Sequence, residues 1–178
     1  MSSALIVTDL LTTYDFEDAD ALAESVEEAL PAVRTLLRRA EEAGAPVIYV
    51  NDNYGDWNSS AQELLRRGLE GRRPDLVEPV QPPPEASFVI KARHSIFYGT
   101  PLEYLLGQLG VDRIVLCGVV TEQCILYSAL DAYVRQLHVA VPPDAVAHID
   151  PGLAGAALEM MRRNMDADLT PAADCALD

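Results

Sequence analysis

Short, nearly continuous apolar runs recur at 4 to 10, 46 to 51, 87 to 91, 113 to 118 and 136 to 142, each bounded by turn-forming residues. Runs of that length predict strands covered on both faces. Between them the apolar spacing changes to three and four. Over 20 to 43, Leu22, Val26, Ala29, Leu30, Val33, Leu36, Leu37 and Ala40 fall on one helical face with Glu and Arg opposite, and Gly44 follows as a terminating glycine. Thr100-Pro101 reads as a cap and first helical residue for a helix to 109, stopped by Gly110, and 121 to 135 and 151 to 165 read as two more helices. The alternation predicts a three-layer, doubly wound (Rossmann-like) α/β fold, a mainly parallel sheet with helices on both faces, in one domain over 1–178. In such sheets ligands bind beyond the carboxyl ends of the strands. That rule selects Asp9, Asn51-Asp52-Asn53, Lys91 and the stretch from Gly118 to Cys124.

Composition narrows the partners. The chain has 178 residues, 49% of them hydrophobic, and a formal net charge of −15 from 13 Lys and Arg against 28 Asp and Glu. Nucleic acids and anionic membranes are bound through clustered cations, so no nucleic acid and no membrane is expected as a partner. Arg38-Arg39, Arg66-Arg67, Arg72-Arg73 and Arg162-Arg163 are isolated pairs, not a basic stripe. No apolar run approaches the ~18 residues of a membrane span, and the first residues lack a positive region ahead of a long apolar one. Cys117, Cys124 and Cys175 form neither a disulfide framework nor a Cys-x-x-Cys motif, so a reducing, cytoplasmic setting is expected. No Gly-x-Gly-x-x-Gly follows the first strand and no Walker loop is present; no cofactor is expected.

Lys91 is the only lysine; the other twelve cationic side chains are arginines. At the end of an apolar strand an ammonium either snorkels to water or sits as a compact charge beside a reactive group. The sharpest local signal is Cys117-Gly118-Val119-Val120-Thr121-Glu122-Gln123-Cys124, a strand end, a tight turn and a helix start. With Thr121 as N-cap, Cys124 falls near the third helical position, where the helix dipole, unpaired N–H groups and Lys91 all favour thiolate. The residues leave open a second reading, a buried cysteine acting as a small hydrophobe, and this is the preferred one for Cys117. Cys175, in a polar tail, reads as incidental.

Asp9 after the first strand, Lys91 after the third and Gly118-Val119-Val120-Thr121-Glu122-Gln123-Cys124 after the fourth together resemble the isochorismatase-like cysteine hydrolases, a superfamily that includes nicotinamidases, N-carbamoylsarcosine amidohydrolase and ureide amidohydrolases. The likeness spans roughly residues 4 to 170. It extends to Tyr49-Val50-Asn51-Asp52-Asn53, to the stretch from Lys91 to Leu102, and to Asp131-Ala132-Tyr133-Val134-Arg135 leading to Val141-Pro142-Pro143-Asp144-Ala145. The resemblance implies an Asp-Lys-Cys triad, with Cys124 the nucleophile, Asp9 the general base and acid, and Lys91 holding the charges. It also implies an oxyanion hole from the N–H groups of Val120 and Cys124, and a cis Val119-Val120 peptide. The implied reaction is hydrolysis of a C–N bond in a small amide, carbamoyl or ureide substrate through a thioester. Two alternatives stand beside it: an isochorismatase-type hydrolysis of an enol ether, whose enzymes lack the nucleophilic cysteine, and a non-catalytic small-molecule-binding homologue on the same fold.

The sequence departs from the pattern at Thr12-Thr13-Tyr14, where many members carry Asn-Asp-Phe. Nicotinamidases place an Asp and two or more His after the second strand to bind a divalent cation; Asp52 to Asn58 contains no histidine, so no metal is expected and nicotinamide is disfavoured. Tyr14, Trp57, His94, Phe97 and Tyr127 are candidate substrate-binding residues, and loops 10 to 20 and 52 to 65 are expected to set specificity. Similar proteins pair through helices flanking the site, and Met160, Met161 and Met165 suggest an apolar face for a homo-oligomer.

Overall fold

The computed structural model describes residues 1–178. Strands form where the apolar runs lie: β1 (Ser3–Thr8), β2 (Val47–Asp52), β3 (Ser87–Lys91), β4 (Arg113–Val119) and β5 (His138–Ala140). A sixth, β6 (Val146–Ala147), is too short to leave a pattern. All pair in parallel in the order β3-β2-β1-β4-β5, with β6 beside the end of β4. The helices are α1 (Ala19–Ala43), α2 (Ala61–Leu69), α3 (Pro74–Val77), α4 (Leu102–Gln108), α5 (Leu126–Val134) and α6 (Pro151–Asn164).

Alternation along the strands divides the core into two layers. Leu5, Val7, Tyr49, Val115 and Cys117 pack with the inner face of α1, whereas Ala4, Ile6, Ile48, Ile114 and Leu116 pack with α4, α5 and α6. This is the doubly wound α/β arrangement, with helices on both faces of the sheet. Helix α1 ends as its glycine predicts. Gly44 adopts φ 68°, its N–H reaches Glu41 O at 3.1 Å and the Ala45 N–H reaches Ala40 O at 2.9 Å, so two terminal carbonyls are satisfied.

The structure corrects several local expectations. Part of the 52 to 65 segment is helical: Ser60 caps α2 by accepting the Glu63 N–H at 3.2 Å. Helix α4 begins at Leu102 with Pro101, not Thr100, at the cap position. The expected helix over 121 to 135 is a π-helical turn, Thr121–Ile125, followed by α5. Thr121 lies inside that turn and donates to Ala147 O at 2.9 Å, so it is not the cap. Met161 and Met165 are buried under the sheet and only Met160 is partly exposed, which removes the proposed methionine face. Nor is Cys175 incidental. The C-terminal segment folds back on the start of the sheet, where Ser3 N–H donates to Asp178 O at 2.7 Å and Arg113 donates to Ala176 O, to Asp168 Oδ2 at 2.9 Å and to the buried Cys175 sulfur at 3.9 Å. No helix is long and apolar enough to cross a membrane.

Candidate active site

The parallel register brings the strand ends level. Asp52 stands beside Lys91 in the β2–β3 pairing, and Thr8 beside Gly118 in the β1–β4 pairing. A side chain at Gly118, whose φ is 108°, would meet Thr8 O at 2.1 Å, so glycine is what lets the turn after β4 close on the end of β1. Asp9 follows β1 in the left-handed region (φ 54°), tolerated by aspartate more readily than by most residues, and its N–H donates to Val50 O at 2.9 Å. Asn51 ties the adjoining loop down, accepting the Leu11 N–H at 3.0 Å and donating to Leu11 O at 3.2 Å.

Four functional side chains converge here. The Lys91 side chain is fully buried, with Nζ 2.9 Å from Asp9 Oδ2, 3.2 Å from Asp52 Oδ2 and 3.5 Å from Cys124 Sγ. Asp9 Oδ1 accepts the Asp52 N–H at 2.7 Å, while Oδ2 has the ammonium beside it but no aligned hydrogen-bond donor. One carboxylate oxygen is therefore fixed and the other remains able to take a proton. Asp52 is committed twice, to Lys91 and, through Oδ1, to the Tyr54 N–H at 2.8 Å. With no histidine in this segment, Asp52 to Asn58 does not fit the cation site of nicotinamidases.

The electrostatics run against the expected thiolate. Burial and then the Asp9 charge push the Cys124 thiol up to about 12, against the opposing pull of Lys91. Charge counting gives the same direction: one ammonium and two carboxylates already leave the pocket net negative, and a thiolate would add a second uncompensated charge in a poorly solvated place. Burial likewise raises the Asp9 carboxyl above its usual value, with Lys91 opposing. For Lys91 burial alone would lower the pKa, but Asp9, Cys124 and Asp52 outweigh it and hold the ammonium charged. A proton passed from the Cys124 sulfur to Asp9 leaves the pocket's total charge unchanged.

A cavity of about 450 Å³ opens onto this cluster, lined among others by Asp9, Asp52, Cys124, Val120, His94 and Tyr54. The Val119-Val120 peptide is cis. Gln123 and Ile125 donate their N–H groups to Val120 O at 3.0 and 3.2 Å, whereas the Val120 N–H has no protein acceptor. His94 Nδ1 lies 3.8 Å from the Cys124 sulfur.

The other suggested wall residues stand elsewhere. Tyr14, at φ 52°, turns its ring into the core, where it is 1% exposed with an unpartnered hydroxyl. Trp57 is 82% exposed and outside the cavity. Phe97 is buried with the Arg135 guanidinium 4.8 Å over its ring, and Tyr127 stacks on His94 at 5.3 Å without lining the cavity. Sequence reasoning gave no role to Asp52, Tyr54, Phe16 or Gln123. Asp52 was accessible, since parallel pairing of two strand ends puts it next to the only lysine. The place of Tyr54 depends on its left-handed backbone (φ 49°), which no local pattern announces.

Comparison with known proteins shows the family and the fold. A family model described as the isochorismatase domain matches residues 3–174. The uncharacterized isochorismatase family protein YaaI of Bacillus subtilis is 31% identical over 167 residues, 94% of this chain and 92% of that protein. Maleamate amidohydrolase of Pseudomonas putida is 30% identical, covering 83% of this chain and 74% of the relative; for streptothricin hydrolase of Streptomyces noursei the figures are 33%, 83% and 55%. Among solved structures, N-carbamoylsarcosine amidase from Thermoplasma acidophilum superposes with a TM-score of 0.77 over 98% of this chain and 99% of that one, at 24% identity, a likeness of fold.

Proposed function

We propose that this chain, which belongs to the isochorismatase family, is a metal-independent cysteine hydrolase that cleaves a C–N bond in a small amide, carbamoyl or ureide substrate. The observation that carries the reading is a buried ammonium 2.9 Å from Asp9 Oδ2, an oxygen with no aligned hydrogen-bond donor, and 3.5 Å from a thiol at a cavity wall. A relative named maleamate amidohydrolase, 30% identical and matched over 74% of its length, supports it.

Asp9 Oδ2 takes the Cys124 proton as sulfur attacks the carbonyl carbon, and the carbonyl oxygen becomes an oxyanion received by the Val120 and Cys124 N–H groups. The C–N bond then breaks, the leaving nitrogen takes the proton from Asp9, and a thioester remains on Cys124. Water adds to the thioester while Asp9 accepts its proton; collapse releases the acid, and the proton returns to sulfur. Lys91 stays charged throughout and keeps the two anionic centres in register.

The test is rapid quench and peptide mass spectrometry of the enzyme mixed with a panel of primary amides, N-carbamoyl compounds and ureides. An acyl or carbamoyl mass increment on the Cys124 peptide during turnover is expected, lost together with turnover in Cys124→Ala. Turnover that persists in Cys124→Ala would overturn the assignment.

A further inference from the structure

A second cavity of about 280 Å³ lies against the first and shares Thr12, Phe16 and Tyr54 with it. Its far wall is built from Leu11, Leu64 and Gly68, none of which lines the catalytic cavity. Two rings, from Phe16 and Tyr54, thus stand between the spaces. Both residues are about half exposed, and Asn51 Nδ2 makes a long 3.5 Å contact with the Tyr54 hydroxyl. Side-chain rings partition the two spaces more weakly than backbone would.

The rim decides what chemistry fits. Arg67 is the only cation on the second cavity, and it is already engaged by Asp56 at 2.6 Å and Glu63 at 2.8 Å, with Asp15 also on the wall. Arg67 and Asp15 cancel on the wall itself and the guanidinium is already paired twice, so an anionic group finds no free partner. The interior offers leucine side chains and aromatic faces. From this juxtaposition we propose that the second cavity is a substrate subsite for a neutral, apolar substituent attached to the scissile amide or ureide, reached past Phe16 and Tyr54. The inference rests on the hydrolase reading above and narrows it to substrates with an alkyl-sized apolar arm.

The experiment is calorimetric binding of the unbranched amides from acetamide to hexanamide to Cys124→Ala, alone and combined with Leu64→Phe or Leu64→Ala, with folding checked by thermal melting. Each methylene that enters apolar surroundings should tighten Kd by about fourfold. Leu64→Phe should end that rise at a shorter chain and Leu64→Ala should extend it. A flat series, a rise untouched by both Leu64 changes, or tighter binding of an amide ending in a carboxylate would each overturn the subsite. Wild-type turnover of the same amides is read separately. A rising Kd series without turnover or Cys124 adduct keeps the subsite and removes the hydrolase reading; turnover with a flat series does the reverse.

Discussion

Two places in this molecule set a buried cysteine beside a cation and an aspartate. At the carboxyl edge of the sheet Cys124 meets Lys91 and Asp9; at the opposite edge Cys175 meets Arg113 and Asp168. In both, burial raises the thiol pKa, so proton affinity alone does not tell the reactive site from the inert one. The difference lies in what the neighbours are free to do. The Arg113 guanidinium is spread over Asp168, Ala176 O and sulfur, a planar fork that pins the returning C-terminal segment. Asp168 is further engaged by Thr170, whose N–H and hydroxyl donate to it at 2.9 and 2.6 Å. Around Cys124 the cation is compact, one carboxylate oxygen has no aligned donor, and a cavity reaches the sulfur. In the proposed reaction, a carboxylate oxygen without an aligned donor and access for substrate separate the two sites; the residue types alone do not.

The comparison breaks most sharply by exchanging the cysteines for alanine one at a time. Cys124→Ala should lower kcat/KM on the order of 10⁴-fold or more, the scale of losing a nucleophile that acts within a unit. Cys175→Ala should leave kcat/KM within roughly twofold and destabilise the fold by about 1 kcal/mol, measured by urea unfolding. Equal losses of activity in the two variants would erase the distinction.

Asp9→Asn sharpens it by separating thiol acidity from catalysis. Removing the nearby negative charge lowers the Cys124 pKa from about 12, so more thiolate is present at any pH below that value, and alkylation at pH 8 should quicken. Hydrolysis should nevertheless fall by about 10² to 10⁴, because the proton acceptor is gone. In the wild type, activity should decline as pH drops through the raised Asp9 pKa, an acid limb above the ordinary carboxylate range that Asp9→Asn would lack. Slower alkylation in Asp9→Asn would contradict the charge argument.

The smallest effect belongs to the other cluster. Arg113→Met should cost about 2 kcal/mol, less than a fully buried pair because the Asp168 side chain is 44% exposed, and should lower Tm by roughly 4 to 8 °C. kcat should stay close to wild type. A stable variant with lost activity would mean that the far edge of the sheet reports to the site.

Much of the site was legible because strand ends are. Apolar runs mark where Asp9, Lys91 and Cys124 emerge, and parallel pairing levels those ends. What stayed hidden depends on long-range closure or on backbone sign. Cys175 looks polar in context because its partners, Arg113 and Arg39, lie far away in sequence. Tyr14 and Tyr54 each adopt positive φ, yet one ring enters the core and the other lines the cavity. Cys124 differs for another reason: a helix start and a lysine argue for thiolate, but Asp9 and, through the β2–β3 pairing, a second carboxylate from Asp52 already stand beside that lysine.

The spare oxygen of Asp9 also bears on how the enzyme responds to its surroundings. A proton that travels from sulfur to that oxygen leaves the interior's total charge as it was, so no counter-ion has to follow it. Dissolved salt acts on unbalanced charge over a Debye length of about 10 Å at 0.1 M. In the proposed mechanism the bond-making step is thereby insulated from ionic strength, in a chain whose exterior, at a formal −15, is anything but.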